Sequence, residues 1–78
     1  MSGGSFNYAW IGVYSFVEYL EEVLAEPSED LKPETVSKLR EIENKVRQAG
    51  QLMREVEYLY SGDTGNETFM ERVAEIEK

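Results

Sequence analysis

The sequence predicts an all-α fold: an antiparallel helical hairpin with one long central helix and a short third helix, assembled as a helical-bundle homo-oligomer. Apolar residues recur at alternating spacings of three and four over three stretches, the period of helices that pack along one face. Turn residues separate these stretches, and no strand signal occurs. With 78 residues the chain makes a single domain near the lower size limit for one core, so self-association is a natural way to bury more surface.

The first predicted helix covers residues 9–25 and follows a glycine-rich arm, residues 1–8. Its apolar seam consists of Trp10, Val13, Val17, Leu20 and Leu24. Ile11, Tyr14 and Tyr19 lie off that seam, so the first half of the helix is apolar nearly all round. This pattern indicates a helix buried on more than one side, and we expect another subunit to provide the second cover.

The long helix, residues 33–61, is the element around which the rest is organised. Its seam consists of Leu39, Ile42, Val46, Ala49, Met53, Val56 and Tyr60. This a/d pattern over about three heptads is typical of a helix that lies along a partner helix. Pro27 ends the preceding helix, and Pro33 suits the first turn of this one. Gly50 costs about 1 kcal/mol relative to alanine, so either two backbones approach closely there or the helix bends.

A short third helix is predicted over residues 66–77. Gly62 is well placed to be the left-handed residue that follows the long helix. Thr64 and Glu67 have the spacing of a capping box, which predicts the start of the third helix. We expect this helix to fold back on the second half of the long helix, where the apolar face is wider.

The net charge of −8 is unevenly distributed. Residues 1–31 carry six acids and no base, residues 32–54 carry six bases and three acids, and residues 55–78 carry seven acids and two bases. The field of the whole molecule repels nucleic acid and anionic lipid, so we predict no direct binding to nucleic acid and no membrane association. We expect the basic stretch to pair with the acidic first helix of the same or a neighbouring subunit.

The chain contains no cysteine and no histidine, which removes disulfides, thiolate nucleophiles, imidazole bases and the usual zinc ligands. Glu18, Glu21 and Glu22 share one helix face, but the second acidic motif that a two-metal site requires is missing. We therefore predict a protein that is not an enzyme, with no catalytic residue, no metal site and no cofactor. No secretory signal or membrane-spanning run is visible, so the predicted location is the cytoplasm.

The two ends of the chain resemble a known group of sequences. The carrying segments are Met1-Ser2-Gly3-Gly4-Ser5-Phe6-Asn7-Tyr8 and Arg54-Glu55-Val56-Glu57-Tyr58-Leu59-Tyr60-Ser61-Gly62-Asp63, then Gly65, Glu67 and Phe69. They resemble a family of small uncharacterised bacterial and phage proteins that start Met-Ser-Gly-Gly-(Ser/His)-(Phe/Tyr)-Asn-Tyr and end in a helix followed by Ser-Gly-Asp. The middle of the chain does not share the resemblance, and Glu57 stands where the family has Asp. The resemblance implies a phage or prophage accessory protein, located in the host cytoplasm if phage-encoded, and implies no mechanism.

The first functional hypothesis is a site for a small anionic, nucleotide-derived ligand between subunits, by which the protein counters host defence. Successive glycine amides can form an anion-binding nest, aromatic rings can stack on a base, and arginine pairs with phosphate. The candidate ligand-binding residues are Gly3, Gly4, Phe6, Tyr8, Arg47, Arg54, Tyr58, Ser61 and Asp63. The alternative is that the arm is simply flexible, the aromatic residues are core and Gly62 is a helix cap.

Arg40, Arg47 and Arg54 repeat every seven residues along the long helix. They form either a clamp for phosphates or an acidic partner, or a solvated face with local ion pairs.

The second functional hypothesis is an acidic protein-interaction module or nucleic-acid mimic that inhibits a host protein. The acids of the first helix and of the C-terminal third could imitate a row of phosphates. The alternative is an ordinary acidic surface.

Overall fold

The computed structural model describes residues 8–78, which form three α-helices: α1 (Ala9–Ala25), α2 (Pro33–Ser61) and α3 (Asn66–Ile76). Within this range there is no strand, which confirms the all-α prediction. Both α1 and α3 pack against α2, and they do not contact each other. No helix in this part of the chain is both long and apolar enough to cross a bilayer.

The described residues form an elongated three-helix arrangement with α2 in the middle. Their Cα atoms extend over 47 × 25 × 13 Å. Because α1 and α3 each pack on α2 and not on each other, the core is very small. Val17 and Leu24 are the buried apolar side chains of residues 8–78.

The α1–α2 hairpin is antiparallel and closely packed at its middle. Arg54 lies over the Trp10 ring at one end, and Arg40 donates a hydrogen bond of 3.2 Å to the carbonyl of Leu24 at the other. A Cβ atom built on Gly50 would lie 2.8 Å from Cε1 of Tyr14. Because α2 continues as one helix through Gly50, the glycine is explained by close approach of the two helices and not by a break.

The line along which α2 contacts α1 is not the predicted a/d seam. Glu43, Gly50 and Glu57, spaced seven residues apart, are buried in the hairpin joint. The apolar seam is turned to one side, and its members Ile42 and Met53 remain 39% and 37% exposed. The predicted seam therefore does not face α1, and its expected partner helix is not among the described residues. The row of Gly50 faces α1 because its missing side chain allows the closest approach.

The turn after α2 follows one prediction and departs from another. Gly62 has φ +87°, and the amides of Gly62 and Asp63 donate to the carbonyls of Leu59 and Tyr58, which is a Schellman motif. The left-handed cap is therefore confirmed. The predicted capping box at Thr64 is wrong, because α3 begins at Asn66, Gly65 is its N-cap and no side chain caps the helix.

α3 runs antiparallel to α2 along the second half of α2. Arg72 Nη1 lies 3.6 Å from Oε1 of the buried Glu55, and Gln48 donates a hydrogen bond of 3.0 Å to the carbonyl of Ile76. These contacts place α3 on the side of α2 away from α1, so the fold-back prediction is confirmed.

Candidate functional site: an open apolar face and the end of the hairpin

One face of the hairpin is apolar and uncovered within the described chain. We call it the open face and define it by residues that share one side of each helix: Ala9, Gly12, Phe16, Tyr19 and Val23 of α1, and Ile42, Val46, Ala49, Met53 and Val56 of α2. Several of its large side chains are well exposed, including Phe16 at 51% and Val23 at 40%. Exposed apolar side chains grouped on one face make this face a candidate site of protein or ligand contact.

The second feature is a cluster at the end of the hairpin where α1 begins. We call it the end site and define it as Trp10, Arg54, Glu57 and Tyr58. The Cζ atom of Arg54 lies 5.7 Å from the ring centroid of Trp10 and 5.9 Å from that of Tyr58. Both distances fall within the range of cation–π interactions, so the two rings fix the position of the guanidinium group.

Arg54 keeps hydrogen-bonding capacity in this position. It forms no salt bridge with any carboxylate of residues 8–78. Its Nε–H and the indole Nε1–H of Trp10 are buried and have no acceptor in the same part of the chain. Buried donors without a partner are uncommon in native proteins, so these two N–H groups are candidates for binding a ligand or an ordered water.

A small apolar pocket adjoins the end site and opens on the open face. Its volume is about 150 Å³, and it is lined by Ala9, Trp10, Met53, Val56 and Glu57. A cavity of this size accommodates a single ring, whereas most ligand pockets measure about 300–1,000 Å³. The pocket of one chain is therefore too small for a complete nucleotide.

Glu57 is the least expected member of the end site. It is 2% exposed, and neither carboxylate oxygen has a hydrogen-bond partner within residues 8–78. Ala9 and Trp10, which line the same pocket, form the first turn of α1. The positive end of the α1 dipole, and Arg54 one turn earlier on α2, can both compensate a negative charge at Glu57.

The structure brings together part of the predicted ligand set. Arg54 and Tyr58 are in contact, and the adjoining turn carries Ser61, whose Oγ lies 3.2 Å from the Tyr58 carbonyl oxygen and 3.0 Å from Oδ2 of Asp63. Tyr8, which precedes α1, has a left-handed backbone with φ 52° and is 49% exposed. The predicted residues Gly3, Gly4 and Phe6 lie outside the described residues.

Arg47 does not join this group. Its Nη2 atom lies 3.1 Å from Oε2 of Glu21 and 2.9 Å from Oε2 of Glu43, and its Nη1 donates to Asn44. Arg47 also lies two helical turns, about 10 Å, from Arg54. It therefore cross-links the two helices, and the Glu21 contact is a case of the predicted pairing between the basic stretch and the acidic first helix.

The arginine row lies along the hairpin joint. Arg40 donates to the end of α1, Arg47 pairs with Glu21, and Arg54 stacks on Trp10. Each arginine thus contacts α1. Arg40 and Arg54 form no salt bridge with a carboxylate of residues 8–78, and Arg54 lies over two aromatic rings.

The sequence reading did not select Glu57, Met53 or Val56 as site residues. Gly50 was the available signal, because a glycine in the middle of a helix marks the line of closest approach and Glu57 lies seven residues beyond it on the same line.

Comparisons with protein-family models, with curated proteins and with solved structures found no match.

Proposed function

We propose that this chain is a non-enzymatic accessory protein of the phage type that acts as a homo-oligomer and sequesters a small ligand between its subunits. The ligand class is a planar ring with an anionic group, as in a nucleotide-derived signal of host defence. The observation that carries the proposal is Arg54: a guanidinium held between two rings, without a carboxylate partner among residues 8–78, beside a ring-sized apolar pocket.

The chemistry of the end site supports this ligand class. A flat heterocycle fits a small apolar pocket with an indole in its wall, and stacking of a base on an aromatic side chain contributes about 1–3 kcal/mol. The guanidinium of Arg54 supplies charged donors for a phosphate. The buried carboxylate of Glu57, which lines the pocket, disfavours a ligand that is anionic throughout, so the anionic group belongs on the Arg54 side.

The open face supports the oligomeric part of the proposal. It forms one wall of the pocket through Ala9, Met53 and Val56, so the pocket lies where another subunit would pack. The pocket of a single chain is too small for a complete nucleotide, and a site shared between two subunits would be larger.

The test is a thermal-shift titration with purine and pyrimidine mono-, di- and cyclic nucleotides. A ligand at one hundred times its Kd stabilises the folded state by about 2.7 kcal/mol, which raises the melting temperature of a domain of this size by several degrees. We expect one nucleotide class to raise the melting temperature in a concentration-dependent way.

The Arg54→Met variant keeps the aliphatic contact with the rings and removes the charge, so it should abolish the shift. Arg72→Met is the matched control, because Arg72 is half-exposed on α3 and outside the end site. Silence across all nucleotide classes, or an equal response of both variants, would contradict the ligand proposal.

The second candidate, an acidic module or nucleic-acid mimic that inhibits a host protein, is supported by the acids of α1. Glu18 and Glu22 are exposed and form no salt bridge within the described chain. Under this second function we expect the chain to form a salt-sensitive complex with one host protein. Charge reversal at both positions should release that protein.

A further inference from the structure

We propose that the open face packs against the open face of a second copy, with α1 of one copy lying along α2 of the other, and that this pairing joins the two apolar pockets into one cavity. The inference deepens the proposed function by naming the partner that completes the site. It rests on the proposed function only in requiring that copies assemble.

The uncovered apolar face is the first argument. Helical domains bury their apolar stripes against another packed layer, and within residues 8–78 neither α1 nor α3 covers the open face, whose Phe16 and Met53 remain exposed. Two hairpins stacked face to face make a four-helix arrangement in which each helix has antiparallel neighbours. The open face also carries no exposed carboxylate, so two chains of net charge −8 can approach through it with the least repulsion.

The second argument is the height of each residue, by which we mean its position along the helix axes of the hairpin. Contacts within the chain place Trp10 level with Arg54 and Leu24 level with Arg40. A two-fold axis that runs between the copies, parallel to the helices, leaves every residue at its own height. Each α1 residue of the open face then lies opposite the α2 residue of the partner at the same level.

The resulting pairs match in spacing and in size. They are Ala9 with Val56, Gly12 with Met53, Phe16 with Ala49, Tyr19 with Val46, and Val23 with Ile42. Both stripes follow the same alternation of four and three residues, so all five pairs stay in step. Gly12 and Ala49, the smallest members, stand opposite the large side chains of Met53 and Phe16, which is the complementarity that close helix packing requires.

Charges at the rim agree with this orientation. The outer edge of α2 carries Lys38 and Lys45, and the outer edge of α1 carries Glu22 and Glu26. With α1 over α2 of the partner, basic edge meets acidic edge. An axis across the helices would instead stack each helix on its own copy and place like edges together.

The same two-fold axis brings the pockets of the two copies together. Because heights are kept, both copies have their end sites at the same end of the assembly, and the two pockets face each other across the axis. The pair Ala9–Val56 closes over them. The joined cavity has twice the volume of one pocket, which reaches the lower end of the range for small-molecule sites.

Disulfide cross-linking tests the orientation, since the chain has no cysteine of its own. Copies with Phe16→Cys and copies with Ala49→Cys, carrying different tags, are mixed, oxidised and resolved on a non-reducing gel. We expect a disulfide between the two variants and at most a trace within either variant alone. Tyr19→Cys with Val46→Cys is a second pair that should behave in the same way, and circular dichroism checks that each variant is helical.

A strong homodimer of Phe16→Cys alone would show that α1 packs on its own copy and would overturn the orientation. Absence of cross-links in both mixed pairs of helical variants would overturn the pairing of open faces altogether. These outcomes are independent of ligand, so cross-linking without any nucleotide-dependent thermal shift would retain the assembly and reject the ligand.

Discussion

The two sides of α2 contrast in a way that reverses the usual distribution of residue types. The side that faces α1 buries two carboxylates and a glycine, Glu43, Glu57 and Gly50. The neighbouring side presents Ile42 and Met53, both more than one-third exposed. If the packing of residues 8–78 were the final packing, the apolar row of α2 would be expected to face α1. Burying apolar surface stabilises a fold, whereas burying a charge costs free energy.

The contrast teaches that the contact with α1 does not use the apolar row of α2, which leaves this row for the second contact that we propose. The joint with α1 depends on close approach at Gly50 and on the arginines that bind across it. The open face has large side chains alternating with small ones and is suited to a second layer. The substitutions below separate these two sides of α2.

The largest effect is expected from Gly50→Val, in the joint. Even a single Cβ at this position would lie 2.8 Å from Tyr14 Cε1 and 3.1 Å from Val13 Cγ1, so these side chains or the helices that carry them must shift. Overpacking of this kind costs about 1–3 kcal/mol. Urea denaturation followed by circular dichroism should show this loss in the free energy of unfolding.

Ala49→Val is the matched control on the adjacent, open side. It places the same branched side chain on the same helix. In separated subunits, measured at high dilution, its cost to the free energy of unfolding should be close to the difference in helix propensity, less than about 1 kcal/mol. Equal losses for the two variants would contradict the assignment of Gly50 to the joint and Ala49 to the open face.

A smaller effect of opposite sign is expected from Glu57→Gln. The amide has nearly the shape of the carboxylate and removes a buried charge that has no partner among residues 8–78. We expect the free energy of unfolding to rise by about 1 kcal/mol, the scale of one unsatisfied buried group.

Glu55→Gln provides the comparison for Glu57→Gln. Glu55 is also buried, at 4% exposure, but Arg72 lies 3.6 Å away. Because Arg72 is half-exposed, loss of this pair should lower stability by no more than about 1 kcal/mol. If Glu57→Gln destabilised the protein as Glu55→Gln does, the carboxylate of Glu57 would have to be bonded in the folded state.

Much of the fold was accessible from the sequence, since three-four periodicity placed the helices within a residue of their observed ends and Gly62 marked the end of α2. The packing line was not, because periodicity shows which residues are apolar and does not show which neighbour covers them. The close approach that Gly50 allows, and not the apolar seam, determines which face of α2 packs against α1. Thr64 failed as a cap because Gly65 and Asn66 follow it and shift the start of α3.

The candidate site was predictable in part for a similar reason. Arg54 and Tyr58 lie four residues apart on one helix, so their proximity follows from helical geometry. The contact of Arg54 with Trp10 and the burial of Glu57 depend on how α1 docks, which local sequence does not encode. Arg47 has the same spacing in its row as Arg54, yet its neighbours Glu21 and Glu43 occupy it.

The most direct test of the central claim compares two charge insertions on opposite sides of α1 by sedimentation-equilibrium mass. Phe16 and Ile11 are 51% and 50% exposed, but only Phe16 belongs to the open face. The account predicts that the unmodified protein and Ile11→Glu have a mass at least twice the 9.0 kDa of one chain, and that Phe16→Glu sediments as a helical monomer. A monomeric unmodified protein, or a Phe16→Glu variant that assembles as well as Ile11→Glu, would contradict it.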